Sequence, residues 1–139
     1  MDVAKKIINK MYNHDAFSKW LGIKVLTEDG GTYKVQMKIN KKMTNGFGIA
    51  HGGIAYSLAD SALAFVANAN GYEAVTIDSS ISYCKKVKIN EIITANVKEI
   101  SLTKKNGLYQ ISITNQDNIE VAQFKGTVYI TSKKWNLSN

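Results

Sequence analysis

One predicted helix constrains the fold of this chain more than any other feature. Residues 53–70 carry apolar side chains nearly all the way round the helical wheel, and Gly71 follows as a helix-ending residue. A helix that is apolar on nearly every side is buried by the rest of the protein. After Gly71 the chain has four segments of alternating apolar and polar residues and no further helical pattern. One buried helix with consecutive antiparallel strands predicts an α+β fold, in which a curved antiparallel sheet wraps around the long central helix.

The other elements follow from the spacing of apolar residues. Residues 3–12 have the spacing of a short amphipathic helix. Strands are predicted over residues 22–28 and 32–39, joined by a turn at Asp29-Gly30-Gly31. The four later strands are predicted at 74–84, 91–100, 108–114 and 119–131. Hairpin turns are predicted at Asn106-Gly107 and Asp117-Asn118.

The length of 139 residues is typical of one domain, and no internal repeat divides the chain. We therefore expect a single domain over residues 1–139, with residues 1–21 as an N-terminal helical segment. The 18 basic residues are all lysine and are scattered, so the net charge of +7 indicates a solvated surface rather than a nucleic-acid interface. Such a surface still attracts a small polyanionic substrate.

Neither a secretory signal nor a membrane span is predicted. The first residues lack a long apolar core. The most apolar stretch, residues 49–69, carries Asp60 at its middle, and a charged side chain is costly inside a bilayer. We therefore expect a cytoplasmic protein with no membrane partner and no nucleic-acid partner.

The start of the long helix is the first candidate site. Gly52 and Gly53 leave backbone N–H groups uncovered by side chains, where the helix dipole places partial positive charge. Such a terminus can bind an anion or the developing oxyanion of an acyl transfer. A glycine-rich loop that needs unusual backbone angles is the other interpretation of the same residues.

Three further side chains could carry chemistry. Asp60 lies inside the apolar helix with no lysine at helical spacing, so its partner is expected elsewhere in the fold or on another subunit. The alternative is a polar residue satisfied by Ser57 or Ser61. His51 could be a base, a metal ligand or a structural cap, but no histidine cluster supports a metal site. Cys84 is expected to behave as a small hydrophobic residue.

These residues together resemble the signature of a known family, the hot-dog-fold acyl-CoA thioesterases of the PaaI-like (phenylacetate-pathway) type. An asparagine stands six residues before the histidine, and an aspartate stands nine residues after it. The resemblance covers nearly the whole chain after Gly22. Its residues are Asn45, His51-Gly52-Gly53, Ser57-Leu58-Ala59-Asp60-Ser61-Ala62, the strand over 75–83, and Gln123-Phe124-Lys125-Gly126.

The resemblance implies a role for each matching residue. Asp60 would be the catalytic carboxylate, either activating water or attacking the thioester directly. The backbone N–H of Gly52 would polarise the thioester carbonyl, and Asn45 would orient the water or the thioester. His51 would support the loop and contact the substrate, while Thr76 would place a hydroxyl near the nucleophilic water.

The expected contacts to coenzyme A (CoA) follow the strand that ends at Tyr83. Relatives often carry an Arg-Pro or Ser-Pro pair after this strand, whereas this chain has two lysines. Lysine holds a phosphate as a point charge rather than as a fork. A solvated loop is the alternative interpretation of these lysines. The substrate or CoA contacts are expected at Gly53, Tyr83, Lys85, Lys86 and Lys88.

The resemblance further implies a homodimer or homotetramer, with the site across the dimer interface. Neither a metal nor a cofactor is expected, since the CoA thioester is the substrate. The leading hypothesis is hydrolysis of an acyl- or aroyl-CoA to the free acid and CoA. One alternative is a hot-dog enoyl-CoA hydratase that uses His51 and Asp60. The other is a non-catalytic acyl-CoA binding module, since a fold does not determine a function.

Overall fold

A computed structural model describes residues 2–27 and 33–138. The predicted turn at residues 29–31 lies outside the described residues. In chain order the elements are α1 (Val3–Asn13), α2 (Ala16–Leu21), β1 (Lys24–Thr27), β2 (Tyr33–Lys38), a 3₁₀ turn (Lys41–Met43), α3 (Gly52–Asn68), β3 (Tyr72–Tyr83), β4 (Ile92–Leu102), β5 (Asn106–Thr114) and β6 (Glu120–Lys134).

The six described strands form one antiparallel sheet in the order β1-β2-β4-β5-β6-β3. The helix α3 packs against β2, β3, β4, β5 and β6, so it lies at the centre of the fold. The predicted α+β architecture with one long central helix is therefore confirmed. Because β3 is the last strand in the order, one of its edges has no neighbouring strand among the described residues.

The apolar surface of α3 makes the core. Leu58, Ala59, Ala62 and Leu63 have no exposed surface. Small residues let the sheet approach closely: a Cβ added at Gly126 on β6 would lie 2.5 Å from the Leu63 side chain. A larger residue at position 126 would therefore push α3 away from the sheet, so we expect the substitution to destabilise the fold.

Two local predictions are wrong, and each has a physical reason. The N-terminal segment holds two helices rather than one, because the Asp15 carboxylate accepts the N–H of Ser18 and caps α2. A six-residue helix is too short to show apolar periodicity. The β4–β5 turn falls at residues 103–105, and Gly107 lies inside β5. Gly107 is required by packing there, since a Cβ would lie 2.8 Å from Tyr109.

The remaining boundaries agree with the sequence to within a few residues. The turn at Asp117-Asn118 is present, with Asn118 in the left-handed region at φ 59°. After α3 the chain reverses at Gly71, whose φ of 111° suits glycine. No helix in the described part of the chain is long and apolar enough to cross a bilayer.

Candidate active site

The start of α3 is held by the His51 side chain. The Nδ1 atom of His51 accepts the backbone N–H of Gly53 at 2.9 Å. Because Nδ1 accepts this hydrogen bond, it carries no hydrogen of its own. The ring hydrogen of His51 is therefore assigned to Nε2. His51 is therefore a structural cap of the helix, and its exposed Nε2–H remains available as a donor. The amide of Gly53 is already used by this cap.

The neighbouring backbone amide, that of Gly52, differs from the Gly53 amide in its hydrogen bonding. Within residues 2–27 and 33–138, no acceptor is found for the Gly52 N–H. This amide lies at the positive end of a 17-residue helix. Of the two glycine amides singled out by the sequence, Gly52 therefore presents the free donor to an anion or a polarised carbonyl.

Tyr83, at the end of β3, positions Gly52. Its hydroxyl donates to the carbonyl oxygen of Gly52 at 2.8 Å. A Cβ at Gly52 would lie 2.8 Å from this hydroxyl, so no larger residue fits without moving the tyrosine. Burial, and secondarily the electrostatic influence of Tyr56, raise the pKa of the Tyr83 hydroxyl. The hydroxyl therefore stays protonated as a donor, and Tyr83 acts on the site through Gly52.

Asn45 begins a closed loop beside the helix start. Its side-chain Oδ1 accepts the N–H of Phe47 at 2.9 Å, and its own N–H donates to the Ile49 carbonyl at 2.8 Å. No acceptor for the Asn45 Nδ2 group is found among the described residues. This loop therefore holds Asn45 in place and leaves its amide hydrogens free. At its tip, the Phe47 side chain is 91% exposed.

A cavity of about 330 Å³ joins these residues to the loop that follows β3. The N–H of Ala50 donates to the Val87 carbonyl at 2.8 Å and ties the two loops together. Gly53 and Lys88, two of the predicted contacts, are not part of the cavity lining. The predicted residues that do line it are Asn45, His51, Gly52, Tyr83, Lys85 and Lys86.

Glu91 holds the lysine-bearing loop. Its carboxylate accepts the N–H of Lys88 at 2.6 Å and the side-chain amide of Gln116 at 3.2 Å. The Lys88 hydrogen bond, followed by the Gln116 bond and the charges of Lys85 and Lys88, lowers the pKa of Glu91 against an opposing effect of burial. Glu91 thus stays ionised, and Lys85, Lys86 and Lys88 are all exposed to solvent.

Asp60 belongs to a second group of residues. It is half-buried on α3, and its Oδ1 accepts the hydroxyl of Thr76 on β3 at 3.1 Å. No ion pair to Asp60 is found in the part of the chain that the structure describes. The interpretation that Ser57 or Ser61 satisfies Asp60 is wrong, because their hydroxyls bond the Gly53 carbonyl and Ser18.

The two groups are separate within one chain. Gly52 and Asp60 are eight residues apart on α3, which corresponds to about 12 Å along the helix axis. Neither Asp60 nor Thr76 lines the cavity beside Gly52. The pairing of His51 with Asp60 that a hydratase would use is therefore not formed within a single chain. One chain instead carries two candidate half-sites, the helix-start half and the Asp60–Thr76 half.

The sequence of residues 47–122, more than half of the chain, matches the family model described as the thioesterase superfamily. The acyl-coenzyme A thioesterase PaaI of Escherichia coli is 36% identical over 116 residues, covering 84% of this chain and 83% of that protein. The chain belongs to the thioesterase superfamily. This confirms the family resemblance, including its PaaI-like character.

Solved structures of thioesterase relatives confirm the hot-dog fold. The structure of the E. coli PaaI protein from the phenylacetic acid degradation operon has a TM-score of 0.89 at 32% identity, covering 96% of this chain and 99% of that one. A hypothetical thioesterase protein of Streptococcus pneumoniae, solved with coenzyme A, has a TM-score of 0.75 at 26% identity. It covers 81% of this chain and 91% of that one.

Two features of this thioesterase chain were not foreseen. Tyr56, one helical turn before Asp60, shares a hydrogen bond with the hydroxyl of Ser79 on β3. The spacing of Tyr56 from Asp60 was the available signal, since residues four apart share a helix face. Cys84, which was expected to behave as a small hydrophobic residue, is exposed and lines the cavity. A strand end gives no sequence signal for that exposure.

Proposed function

We propose that this chain is an acyl-CoA thioesterase that hydrolyses an acyl- or aroyl-CoA to the free acid and CoA. The observation that carries the proposal is the unpartnered Gly52 amide, which points its N–H from a helix start beside a lysine-flanked cavity. The names of the E. coli and human relatives, both acyl-coenzyme A thioesterases, support the same reaction.

The Gly52 N–H donates to the thioester carbonyl oxygen in the proposed reaction. Negative charge grows on that oxygen as the carbonyl carbon is attacked, so the donor stabilises the transition state more than the substrate. A single donor of this kind is worth roughly 3–4 kcal/mol of barrier. The free amide hydrogens of Asn45 and the Nε2–H of His51 are further donors that can orient the thioester or the water.

The Asp60 carboxylate acts in the proposed reaction either as a general base or as a nucleophile. As a base, it takes a proton from water while the water oxygen attacks the carbonyl carbon, the C–S bond breaks and the CoA thiolate leaves to be protonated. As a nucleophile, it attacks the same carbon and forms an anhydride that water then hydrolyses. In both routes Thr76 holds one carboxylate oxygen through its hydroxyl and leaves the other free to react.

The spacing of two residues in a relative supports these roles. Structures of the S. pneumoniae thioesterase protein include one variant with an aspartate replaced by alanine and one with a threonine replaced by alanine. Those two residues are sixteen positions apart in that protein, as Asp60 and Thr76 are here. The contact between Asp60 and Thr76 is the feature that such a spacing would preserve.

The exposed lysines after β3 are the proposed contacts for the phosphates of CoA. Lys85 and Lys86 line the cavity beside Gly52, and Lys88 follows on the same loop. The amide of Gly53 is already bonded to His51, so Gly53 contacts the substrate by leaving room for it where a side chain would stand. The substrate needs no cofactor in this scheme, and because CoA thioesters are metabolites of the cell interior we place the enzyme in the cytoplasm.

The two half-sites need a second copy of the chain. The free edge of β3 runs along a 12-residue strand, and Val75 and Ile77 on it are 56% and 58% exposed. A long exposed edge with apolar residues is a template for pairing with another strand. We propose a homodimer formed through this edge, alone or doubled to a homotetramer, in which Asp60 of one copy faces Gly52 of the other.

The contacts between α3 and β3 make this assembly geometrically consistent. Thr76 contacts Asp60, and Tyr83 contacts Gly52. In an antiparallel β3–β3 ladder, a twofold axis near Ser79 and Ser80 lies midway between Thr76 and Tyr83. It therefore places Thr76 of one copy opposite Tyr83 of the other. The Asp60–Thr76 half of one copy then lies beside the helix-start half of the other.

The test is release of free thiol from a panel of acyl-CoAs, from acetyl to palmitoyl together with phenylacetyl and benzoyl, followed with a thiol-reactive chromophore. We expect turnover of at least one member, and Asp60→Asn should remove most of kcat while leaving thioester binding nearly intact. The matched control is Asp117→Asn, in an exposed turn, which should keep full activity.

Each of the other outcomes points elsewhere. Unchanged turnover in Asp60→Asn would remove Asp60 from the mechanism. No thiol release from folded protein, with ultraviolet absorbance showing hydration of an enoyl-CoA, would indicate the hydratase. Tight binding of CoA thioesters with neither reaction would indicate a binding module.

A further inference from the structure

A second cavity lies at the opposite end of α3, far from the proposed active site. Its volume is about 710 Å³, within the range of small-molecule sites. Ala67 of α3 lines it, and fifteen residues separate Ala67 from Gly52, or roughly 22 Å along the helix. None of the residues given a role in thioester hydrolysis borders this cavity.

Three large apolar side chains that reach the surface form part of the wall of this cavity. Tyr72 begins β3, Leu102 ends β4 and Tyr129 lies on β6, so three strands meet here. These side chains are 39%, 45% and 41% exposed, respectively. A folded chain leaves such a group of apolar side chains accessible at a cost, and they offer contact area to the apolar body of a ligand.

The rim of the cavity is positively charged. Lys104 and Lys105 stand on the β4–β5 turn, and no ion pair to either is found among the described residues. A third lysine, Lys134, lies 5.9 Å from the centre of the Tyr72 ring. The nearby carboxylate of Glu73 is paired with Lys133 at 3.2 Å and is thereby balanced. The other nearby carboxylate, Glu99, accepts the Tyr109 hydroxyl, and against three lysines it leaves net positive charge at this rim for an anionic group.

Hydrogen bonds hold the cavity in shape. The N–H of Ile130 donates to the Lys105 carbonyl at 2.7 Å and fixes the turn against β6. The side-chain amide of Asn70 donates to the Tyr109 hydroxyl at 3.3 Å, which in turn donates to Glu99 at 3.3 Å. Burial, helped by Glu99, raises the pKa of Tyr109 to about 12, so this chain of hydrogen bonds stays intact at neutral pH.

We propose that this cavity binds a small amphipathic carboxylate. The apolar body packs against Tyr72, Leu102 and Tyr129, and the carboxylate lies between Lys104 and Lys105. The site does not depend on the proposed function. Where that function also holds, free carboxylic acids are the product of the enzyme, and the cavity is placed to sense their level at a distance from the chemistry.

The test uses octanoate as the probe, followed by amide chemical shifts and by calorimetry on the full chain. Octanoate should shift the amides of residues 102–105, and the uncharged 1-octanol should bind more weakly. Leu102→Asp should weaken octanoate binding by about tenfold or more, since the ligand no longer covers an apolar side chain there and tenfold corresponds to about 1.4 kcal/mol. The matched control, Ile100→Asp, changes an exposed residue of the same strand outside the cavity and should leave binding unchanged.

A second pair of variants tests the charges. The double variant Lys104→Gln/Lys105→Gln should weaken octanoate binding about threefold to tenfold without affecting 1-octanol, as expected for exposed charge contacts. Lys98→Gln, on β4 but outside the cavity, is the control. Thiol release should be unchanged in all of these variants without added octanoate, so the proposal and the thioesterase assignment fail separately.

Four results would overturn the proposal. The amides of residues 102–105 could stay unshifted at saturating octanoate. Octanol could bind as tightly as octanoate, or free CoA could bind there more tightly than either. Lastly, Leu102→Asp could lower the molecular mass in sedimentation, which would make this cavity an interface between copies of the chain.

Discussion

The two half-sites differ in how completely one chain builds them. At the helix start, the Asn45 loop, the His51 cap and the Tyr83 hydroxyl together fix Gly52 before any ligand arrives. Among the described residues, the Asp60 carboxylate has one hydrogen bond, from a threonine on an edge strand of the sheet. A preorganised donor needs no partner, whereas a carboxylate gains its reactivity from a water-poor environment. In the proposed homodimer, a second copy that covers the edge supplies that environment.

The largest effect should come from recombining the two halves. Asp60→Asn and Gly52→Val homodimers should each be nearly inactive, because every site lacks one half. Co-expressed with different tags, they should form hybrid dimers that recover about half of wild-type activity once purified, since one of the two sites in each hybrid is intact. Thiol release by the purified hybrid measures this.

The comparison fails if the hybrid is as inactive as its parents while all three proteins have the same melting temperature. In that case each site would draw both halves from one chain. A mixture of Asp60→Asn with Thr76→Ala serves as the negative control, because both changes damage the same half.

The next effect concerns the helix-start half alone. Gly52→Ala places a Cβ 2.8 Å from the Tyr83 hydroxyl, so the tyrosine and the helix start must separate. We expect kcat to fall by roughly tenfold to a hundredfold, part of what an oxyanion donor contributes. Gly46→Ala in the same loop meets no atom within 4 Å and should retain activity. Equal activity of the two variants would argue against Gly52 as the donor.

A smaller effect separates the capping role of His51 from its contact with substrate. His51→Ala leaves the Gly53 amide without an acceptor and should lower the free energy of unfolding by about 1 kcal/mol. His51→Asn restores a capping oxygen and should recover most of that stability. Urea unfolding measures both variants. If kcat stays low in His51→Asn although the stability returns, the Nε2–H also acts on the substrate.

The smallest effect is a pH dependence set by Glu91. The folded chain lowers the pKa of this carboxyl below its ordinary value of 4.5, so its charged form stabilises the native state above that pH. Glu91→Gln should lower the free energy of unfolding at neutral pH by roughly 0.5 kcal/mol. The difference from wild type should vanish as the pH falls through the folded pKa. A difference that is independent of pH would mean that the carboxylate charge has no part in holding the loop.

The periodic elements could be predicted because their signal is local. Apolar residues surround α3, and apolar and polar residues alternate along β2, β4, β5 and β6. Each of these patterns extends over several residues, so an error at one end of an element does not hide the element. The six-residue α2 and the position of Asn106 were missed for the opposite reason. A capping side chain and a tight contact between Gly107 and Tyr109 decide them, and neither contact is visible from residue spacing.

The candidate site divides in the same way. Asp60 could be singled out because a carboxylate in an apolar helix is costly unless something pairs with it, and that cost is evident from the sequence. The contact of Tyr83 with Gly52 could not, since the two residues are 31 positions apart and meet only when β3 packs beside α3. The resemblance supplied Thr76, whose hydroxyl the structure brings to Asp60.

The kind of fold and the residue types of the site can be read from the sequence, since apolar periodicity and the Gly-Gly helix start act through local backbone and burial preferences. The three-dimensional structure shows which glycine amide is free, since the His51 side chain turns back onto Gly53 rather than Gly52. It also decided that Asp60 and Gly52 lie about 12 Å apart on one rigid helix. A rigid helix cannot fold back on itself, which is why the proposed site takes Asp60 and Gly52 from two copies of the chain.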